Sequence, residues 1–206
     1  MSKTWTALFL IPFAWSAIEP RDYLTWFLEV LPAIATFAVL AATRRQFPLT
    51  PLTYWLLLIE CIILMIGGHY TYAEVPAFDW LRDYFHHSRN NYDKLAHFFQ
   101  GFVPAIAVRE ILVRFAVVRS RPWLAFLVAC VCLAISAFYE LIEWGVAMVS
   151  EQAAEAFLGT QGYEWDTQSD MALALVGAIV SMGLLSSMHD DQIGRLGSDP
   201  PNRLGG

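Results

Sequence analysis

Long apolar segments are the feature that most constrains this 206-residue chain. Hydrophobic residues make up 57% of it and charged residues only 16%, against about 25% charged residues in typical soluble domains. The apolar runs include Ala35–Ala42, Leu56–Gly67 and Trp123–Phe138. Since about 20 apolar residues in a helix cross a bilayer, these runs predict an all-α, polytopic membrane helix bundle. The predicted partner of such a bundle is the lipid bilayer. The net charge of -6 gives no basic patch, so nucleic acid is not a predicted partner.

About six transmembrane helices are predicted from the lengths of the apolar segments. They cover residues 4–18, 23–43, 52–70, 92–118, 122–149 and 170–188. Residues 1–189 would then form a single integral-membrane helical domain, and the Gly- and Pro-containing residues 190–206 a disordered cytoplasmic tail. The first segment is short and follows Lys3, so it also fits a cleaved signal peptide.

The loops between the spans predict the orientation of the bundle. The loops on one side carry Arg44, Arg45, Arg114, Arg119 and Arg121, together with the tail arginines Arg195 and Arg203. The loops on the other side carry Arg21, Arg82, Arg89 and Lys94, and the last of them, at 150–170, has no Lys or Arg. Because basic loops stay in the cytoplasm, both termini are predicted to be cytoplasmic. An aromatic, amphipathic stretch at 78–85 in an outer loop is typical of an interfacial helix, with an ordinary solvated loop as the alternative.

Acidic and imidazole side chains interrupt the apolar segments at ligand-like spacing. An ionisable group in hydrocarbon costs roughly 2.5–3.5 kcal/mol, so a functional site is the first interpretation. The six candidate metal ligands are Asp93, His97, Glu140, Glu143, Asp166 and Asp170. With a rise of about 1.5 Å per helical residue, they converge on the outer half of the bilayer. Four possible supporting residues fall in the same half, namely Glu29, Glu60, His69 and Gln100.

The candidates differ in how well a purely structural role explains them. Asp93, Asp166 and Asp170 stand at predicted helix starts, where acids cap free N–H groups and favour the helix dipole. Glu140 and Glu143 lie deep in the C-terminal part of a helix, where an acid opposes the dipole. Together with His97, these two glutamates therefore carry most of the functional interpretation.

Five carboxylates cannot be held close together in a low dielectric without compensation. Either a cation binds, or some carboxyl groups stay protonated, or the cluster is spatially split; Lys94 is the nearest obvious cation. Oxygen ligands with one imidazole suit Mg²⁺, Mn²⁺ or Ca²⁺, or a mixed-ligand Zn²⁺ or Fe site. A bound metal could activate water, so a metal-dependent, hydrolase-like activity is one of the functions that the site leaves open. No Ser or Cys nucleophile motif accompanies the cluster.

Long motifs along the chain resemble the YjdF-type family of bacterial inner-membrane proteins. They are GGHYTY at 67–72, NYDKLAHFFQGF at 91–102, YELIEW at 139–144 and WDTQSDM at 165–171. This resemblance covers nearly the whole chain and implies a multi-pass inner-membrane protein of unknown function.

A weaker similarity links the chain to the VanZ-like family, which is associated with teicoplanin resistance. The shared pattern is Asp-Lys-x-x-His-Phe at 93–98, then a Glu-bearing helix, then Asp170 before small residues. The chain departs from that family at Glu143, where glutamine is usual, and at Leu173–Leu175, where the family's asparagine is missing. The similarity implies an outward-facing polar pocket.

Three functions remain open at this point. The first is an outward-facing acidic and histidine pocket that binds a divalent cation and an envelope or lipid-derived ligand. The second is a small proton- or cation-coupled transporter. With only six short spans, such a transporter would need to be a homo-oligomer. The third is a structural or accessory membrane protein, although interhelical hydrogen bonds stabilise membrane bundles by only about 0.6 kcal/mol each.

Overall fold

The computed structural model describes residues 2–149 and 160–198, and within these ranges the chain forms seven α-helices. They are α1 (Lys3–Ser16), α2 (Tyr23–Thr43), α3 (Pro51–Tyr70), α4 (Pro76–Phe85), α5 (Tyr92–Arg114), α6 (Arg121–Val149) and α7 (Asp166–Ser198). A single 3₁₀ turn, Tyr72–Glu74, follows α3 in the described residues. No strand occurs in the described ranges, and the predicted all-α class is confirmed.

Five helices of the described chain are long and apolar enough to cross a membrane: α2, α3, α5, α6 and α7. Helix α1, the first of the six spans predicted from the sequence, has 14 residues, or about 21 Å at the helical rise. Helix α7 continues to Ser198, so residues 190–198 are helical where the sequence predicted a disordered tail. Residues 199–206 lie outside the described part of the chain.

The helix starts follow from side chains that cap free N–H groups. Ser2, Asp22 and Thr50 directly precede α1, α2 and α3. In each case the side chain accepts a hydrogen bond from the backbone N–H of the residue three positions later. Pro51 occupies the first turn of α3, where its missing N–H has no cost. Helix α4 contains the predicted amphipathic stretch at 78–85, so a helix there is confirmed.

Helix α1 runs beside α3 along most of its length. Trp5 Nε1 donates to the carbonyl oxygen of Tyr54 at 2.7 Å, near the start of α3. At the other end of the pair, His69 Nδ1 lies 3.2 Å from the carbonyl oxygen of Ser16. The two helices are therefore parallel, and α1 begins at the end of the bundle where α3 begins.

Helices α5 and α7 approach each other more closely than side chains would allow. A Cβ atom at Gly101 would lie 1.7 Å from the carbonyl oxygen of Ala174, and one at Gly177 would lie 2.0 Å from that of Phe98. Small residues permit such main-chain contact between membrane helices. The contact places the N-terminal ends of α5 and α7, with Asp93 and Asp170, beside each other.

A second buried polar cluster lies at the end of the bundle where α3 begins. The carboxylate of Glu110 accepts hydrogen bonds from Thr50 N at 2.9 Å, Thr53 Oγ1 at 2.6 Å and Arg114 Nη1 at 2.8 Å. His189 Nε2 on α7 is 3.2 Å from the same carboxylate. These contacts join α3, α5 and α7, so Glu110 holds three helices together at this end of the bundle.

Mainly apolar residues are buried between this cluster and the other end of the bundle. They include fully buried residues of α5, α6 and α7: Val103, Ala105, Ile106, Val128 and Ala178.

Candidate functional site

The described residues contain a buried triad of two aspartates and a histidine at the end of the bundle where α5 and α7 begin. Asp93 and His97 are four residues apart on α5 and so share one helix face, and Asp170 comes from α7. One ligand atom from each of the three lies within 4.8 Å of the others. His97 Nε2 is 3.3 Å from Asp93 Oδ1. Two carboxylates and one imidazole from two helices therefore face a common point.

Two cations lie against the acids of this site. Arg89 Nη1 donates to Asp166 Oδ1 at 2.5 Å, and Nη2 donates to Asp93 Oδ2 at 3.3 Å. Lys94 Nζ donates to Asp166 Oδ1 at 2.9 Å and to Asp170 Oδ1 at 3.0 Å. The three aspartates are thus partly compensated from within the protein, and Asp166 belongs to the ion-pair network beside the triad.

Sequence reasoning missed Arg89 as a part of the site. It lies in the connection before α5 and was interpreted only as a loop charge, yet it is 8% exposed. The connection is held by its neighbour Asn90, whose N–H donates to Gln161 Oε1 at 2.9 Å and whose side chain donates to the carbonyl oxygen of Val75 at 3.0 Å. The four-residue spacing from Arg89 to Asp93 is the signal that could have found it.

The two predicted glutamates both lie buried on α6. Glu140 Oε1 is 3.9 Å from His97 Nδ1 and has no hydrogen-bond partner among the described residues. Glu143 lies one turn further along α6. The structure therefore places Glu140 at the edge of the triad, with Glu143 next to it on the same helix face.

The ring of His97 faces an oxygen on each side. Its Nε2 is beside Asp93, and its Nδ1 is 3.0 Å from Gln100 Oε1. A doubly protonated ring would donate to both oxygens, whereas a metal ligand must be neutral at the coordinating nitrogen. A cation coordinated by a nitrogen of a doubly protonated His97 ring would therefore displace a proton.

The other predicted supporting residues fall in three places. Glu29 on α2 accepts a hydrogen bond from Tyr139 Oη at 3.0 Å. Glu60 on α3 lines a cavity that also contacts His97. His69 lies against α1, with its ring tilted by 35° to that of Trp15 and 4.4 Å between ring centroids.

Tyr72 follows α3 and was not predicted as part of the site. Its ring is buried, and burial together with the nearby Glu29 carboxylate raises the pKa of its hydroxyl well above the usual value. The hydroxyl therefore stays protonated at physiological pH and remains able to donate a hydrogen bond.

Comparison with known proteins places this architecture among bacterial membrane proteins. Residues 1–191 match the family model described as "Predicted membrane protein (DUF2238)". The chain is 54% identical over 183 residues to the inner membrane protein YjdF of Escherichia coli (strain K12), with 89% of this chain and 88% of the relative covered. No solved structure shows significant similarity to the chain.

Proposed function

We propose a function for this chain from its site, given that the chain belongs to the DUF2238 family and is a multi-pass protein of the bacterial inner membrane. In this proposal the triad of Asp93, His97 and Asp170 binds a divalent cation. The cation in turn holds an envelope or lipid-derived ligand at the outer side of the membrane. Glu140, Glu143 and Asp166 complete or support the ligand set.

The convergence of three ligand atoms within 4.8 Å carries the proposal. Two carboxylates and an imidazole suit Mg²⁺, Mn²⁺, Ca²⁺ or Zn²⁺. The unpartnered Glu140 Oε1 beside His97 supplies a further oxygen. Leaving such a group unsatisfied in a membrane interior costs free energy, and a cation would remove that cost.

The proposed orientation has six spans and both termini in the cytoplasm. Two observations support it: α1 runs parallel to α3 along most of its length, and Arg44, Arg45 and Arg119 lie at the end opposite the triad. Basic residues favour the cytoplasmic side. The triad would then open towards the periplasm.

A structural role is the second candidate, because the ion pairs of Arg89 and Lys94 fasten the start of α5 to α7 without a bound metal ion. A transporter is less favoured. The buried residues around Ile106, between the triad and the Glu110 cluster, are mainly apolar, with Ser136 and Ser181 as the buried polar residues of α6 and α7 there.

Metal analysis of the purified protein separates the first two functions. After exposure to Mg²⁺, Mn²⁺, Ca²⁺ or Zn²⁺ and removal of free ions, the protein should retain about one equivalent of one of these ions, as expected for a single three- or four-ligand site. The His97→Ala and Glu140→Gln variants should stay folded and lose it. His87→Ala, at an exposed position before the site, is the matched control.

Two results would favour the structural role instead. The first is a wild-type protein that retains none of the four ions. The second is a set of variants whose loss of metal is fully explained by loss of folded protein in size-exclusion chromatography.

A further inference from the structure

A cavity of about 450 Å³ lies between α6 and α7 at the end of the bundle where α3 begins. Most of its wall is apolar and comes from six residues of these two helices: Leu124, Ala125, Ala129, Ile179, Met182 and Gly183. A Cβ atom at Gly183 would meet no heavy atom of the described chain within 4 Å. Ile179 is 55% exposed on the outer surface of α7, so the cavity opens towards the lipid.

Two arginines line the same cavity. Arg109 of α5 is 6% exposed and donates to Asp190 Oδ1 at 2.5 Å and to His189 Nδ1 at 3.0 Å. These bonds use two of the five N–H donors of its guanidinium group. Arg121 is exposed at the start of α6 and forms no ion pair within residues 2–149 and 160–198. Because Asp190 also lines the cavity and balances Arg109, the wall keeps one net positive charge, that of Arg121.

The start of α6 has the features of a helix end at the depth of the lipid headgroups. Trp123 is 60% exposed two residues after Arg121, and exposed tryptophans are enriched at membrane–water interfaces. The first N–H groups of a helix have no partner within it and give that end a partial positive charge. A phosphate at this depth would therefore meet both Arg121 and the positive end of α6, directly beside an apolar cavity.

We propose that this cavity binds an anionic phospholipid, with the phosphate at Arg121 and the start of α6 and an acyl chain along the apolar wall. A phosphodiester carries one negative charge, which matches the one net positive charge of the wall. Its oxygens can accept two parallel hydrogen bonds from a guanidinium group, and basic pockets between membrane helices favour anionic headgroups. A zwitterionic lipid would bring a second cation to this wall. The inference does not depend on the cation site, which lies at the other end of the bundle.

Native mass spectrometry of the detergent-solubilised protein tests the proposal. The probe is phosphatidylglycerol, and the comparison probes are phosphatidylcholine and the free fatty acid with the same acyl chains. One phosphatidylglycerol should bind saturably, about fivefold more tightly than phosphatidylcholine, as expected for one uncompensated basic residue. Glycerol 3-phosphate, which has the phosphate but no acyl chain, should not displace it. A metal chelator is present throughout, so that the triad holds no metal during the titration.

Variants at the two ends of the cavity give matched comparisons. Arg121→Gln should weaken phosphatidylglycerol binding about fivefold, whereas Arg119→Gln, exposed two residues earlier and outside the cavity wall, should change it less than twofold. Gly183→Leu fills the apolar part and should weaken binding about tenfold, because each buried methylene group contributes about fourfold in affinity. Gly194→Leu is its control, since Gly194 is an equally open glycine of α7 outside the wall. If Gly183→Leu does not fold, Ala125→Leu replaces it.

Several outcomes would overturn the proposal. They are binding that does not saturate, equal binding of the two phospholipids, tighter binding of the fatty acid, displacement by glycerol 3-phosphate, and equal effects within either matched pair of variants. The cation proposal is judged separately by metal analysis. A protein that retains no metal but binds phosphatidylglycerol as described supports the lipid site alone, and a protein that retains a metal but binds no phosphatidylglycerol overturns the lipid site alone.

Discussion

Arg89 and Asp166, 77 residues apart in the sequence, form a buried ion pair with 2.5 Å between Nη1 and Oδ1. The pair fastens the connection before α5 to the first turn of α7. Breaking a buried pair by removing one partner leaves an uncompensated charge, which costs more than the intact pair contributes.

Replacing Arg89 by glutamine should therefore lower the free energy of unfolding by about 3–5 kcal/mol. Arg82→Gln is the matched control, because Arg82 pairs with Asp79 on the half-exposed surface of α4 and such pairs contribute about 1 kcal/mol or less. Denaturant titration in detergent measures both. Adding Asp166→Asn to Arg89→Gln should restore part of the stability; equal losses for Arg89→Gln and Arg82→Gln would contradict the role of the buried pair.

Helix α7 offers a matched pair of glycines for testing its contact with α5. Gly177→Ala places a methyl group 2.0 Å from the Phe98 carbonyl oxygen, and overpacking of this kind costs about 1–3 kcal/mol. Gly183→Ala meets no heavy atom within 4 Å and should be neutral or stabilising by roughly 0.5–1 kcal/mol, because alanine is the better helix former. In thermal unfolding, the Tm of Gly177→Ala should fall below that of the wild type, and the Tm of Gly183→Ala should equal or exceed it. A Gly177→Ala protein as stable as Gly183→Ala would mean that α5 and α7 lie further apart.

Lys94 gives a test of the cation proposal in which binding is gained. Its ammonium group contacts Asp170 Oδ1 at 3.0 Å and would repel a cation held by the same carboxylate. Lys94→Met should raise the affinity for Mn²⁺ by roughly tenfold, whereas Lys94→Arg should not. Isothermal titration calorimetry in two buffers of different ionisation enthalpy gives the affinity and the proton displaced from His97. Weaker Mn²⁺ binding by a folded Lys94→Met protein would count against a cation at this carboxylate.

The Glu110 cluster should be a main source of stability at the opposite end of the bundle. Glu110→Ala removes the acceptor for Thr50, Thr53 and Arg114, and the expected loss is about 3–5 kcal/mol. Asp191→Ala, at an exposed position on α7, should change stability by less than about 0.5 kcal/mol. Chemical unfolding measures the difference, and similar values for the two variants would exclude the cluster as a major contributor.

The proposed orientation can be tested with single cysteines. The native cysteines Cys61, Cys130 and Cys132 are unpaired and are first replaced by alanine. A membrane-impermeant maleimide added to spheroplasts should then label Ser88→Cys but leave Ser2→Cys and Arg45→Cys unlabelled until the membrane is opened. Labelling of Ser2→Cys from outside would mean that α1 does not cross the membrane.

Local patterns in the sequence predict the positions of most of the helices. The predicted bounds of the second and third spans, 23–43 and 52–70, agree with α2 and α3 to within a residue. Apolar length and the capping residues Asp22 and Thr50 are local signals, so they can be read without knowing what the helices pack against. The length of α7 was underestimated because its last turns are polar and apolar length alone ended the helix too early.

The site was predictable only where its members share a helix face. Asp93 and His97 follow from four-residue spacing, and the predicted topology assigns them to the same outer half of the bilayer as Asp170 and Glu140. Arg89 was missed because its burial depends on the fold of the connection before α5. Tyr72 and Glu110 acquire their surroundings from helices distant in sequence, and no local pattern reports such contacts.

Gly101 and Gly177 bring the main chains of α5 and α7 into direct contact. Where membrane thickness changes, helices respond by tilting and the lipids by deforming. Two helices in contact along their backbones must tilt together, since no side-chain rotamer can widen or narrow the gap between them. Asp93 and Asp170 would then keep their separation in thin and thick membranes alike, so the triad is insulated from lipid composition.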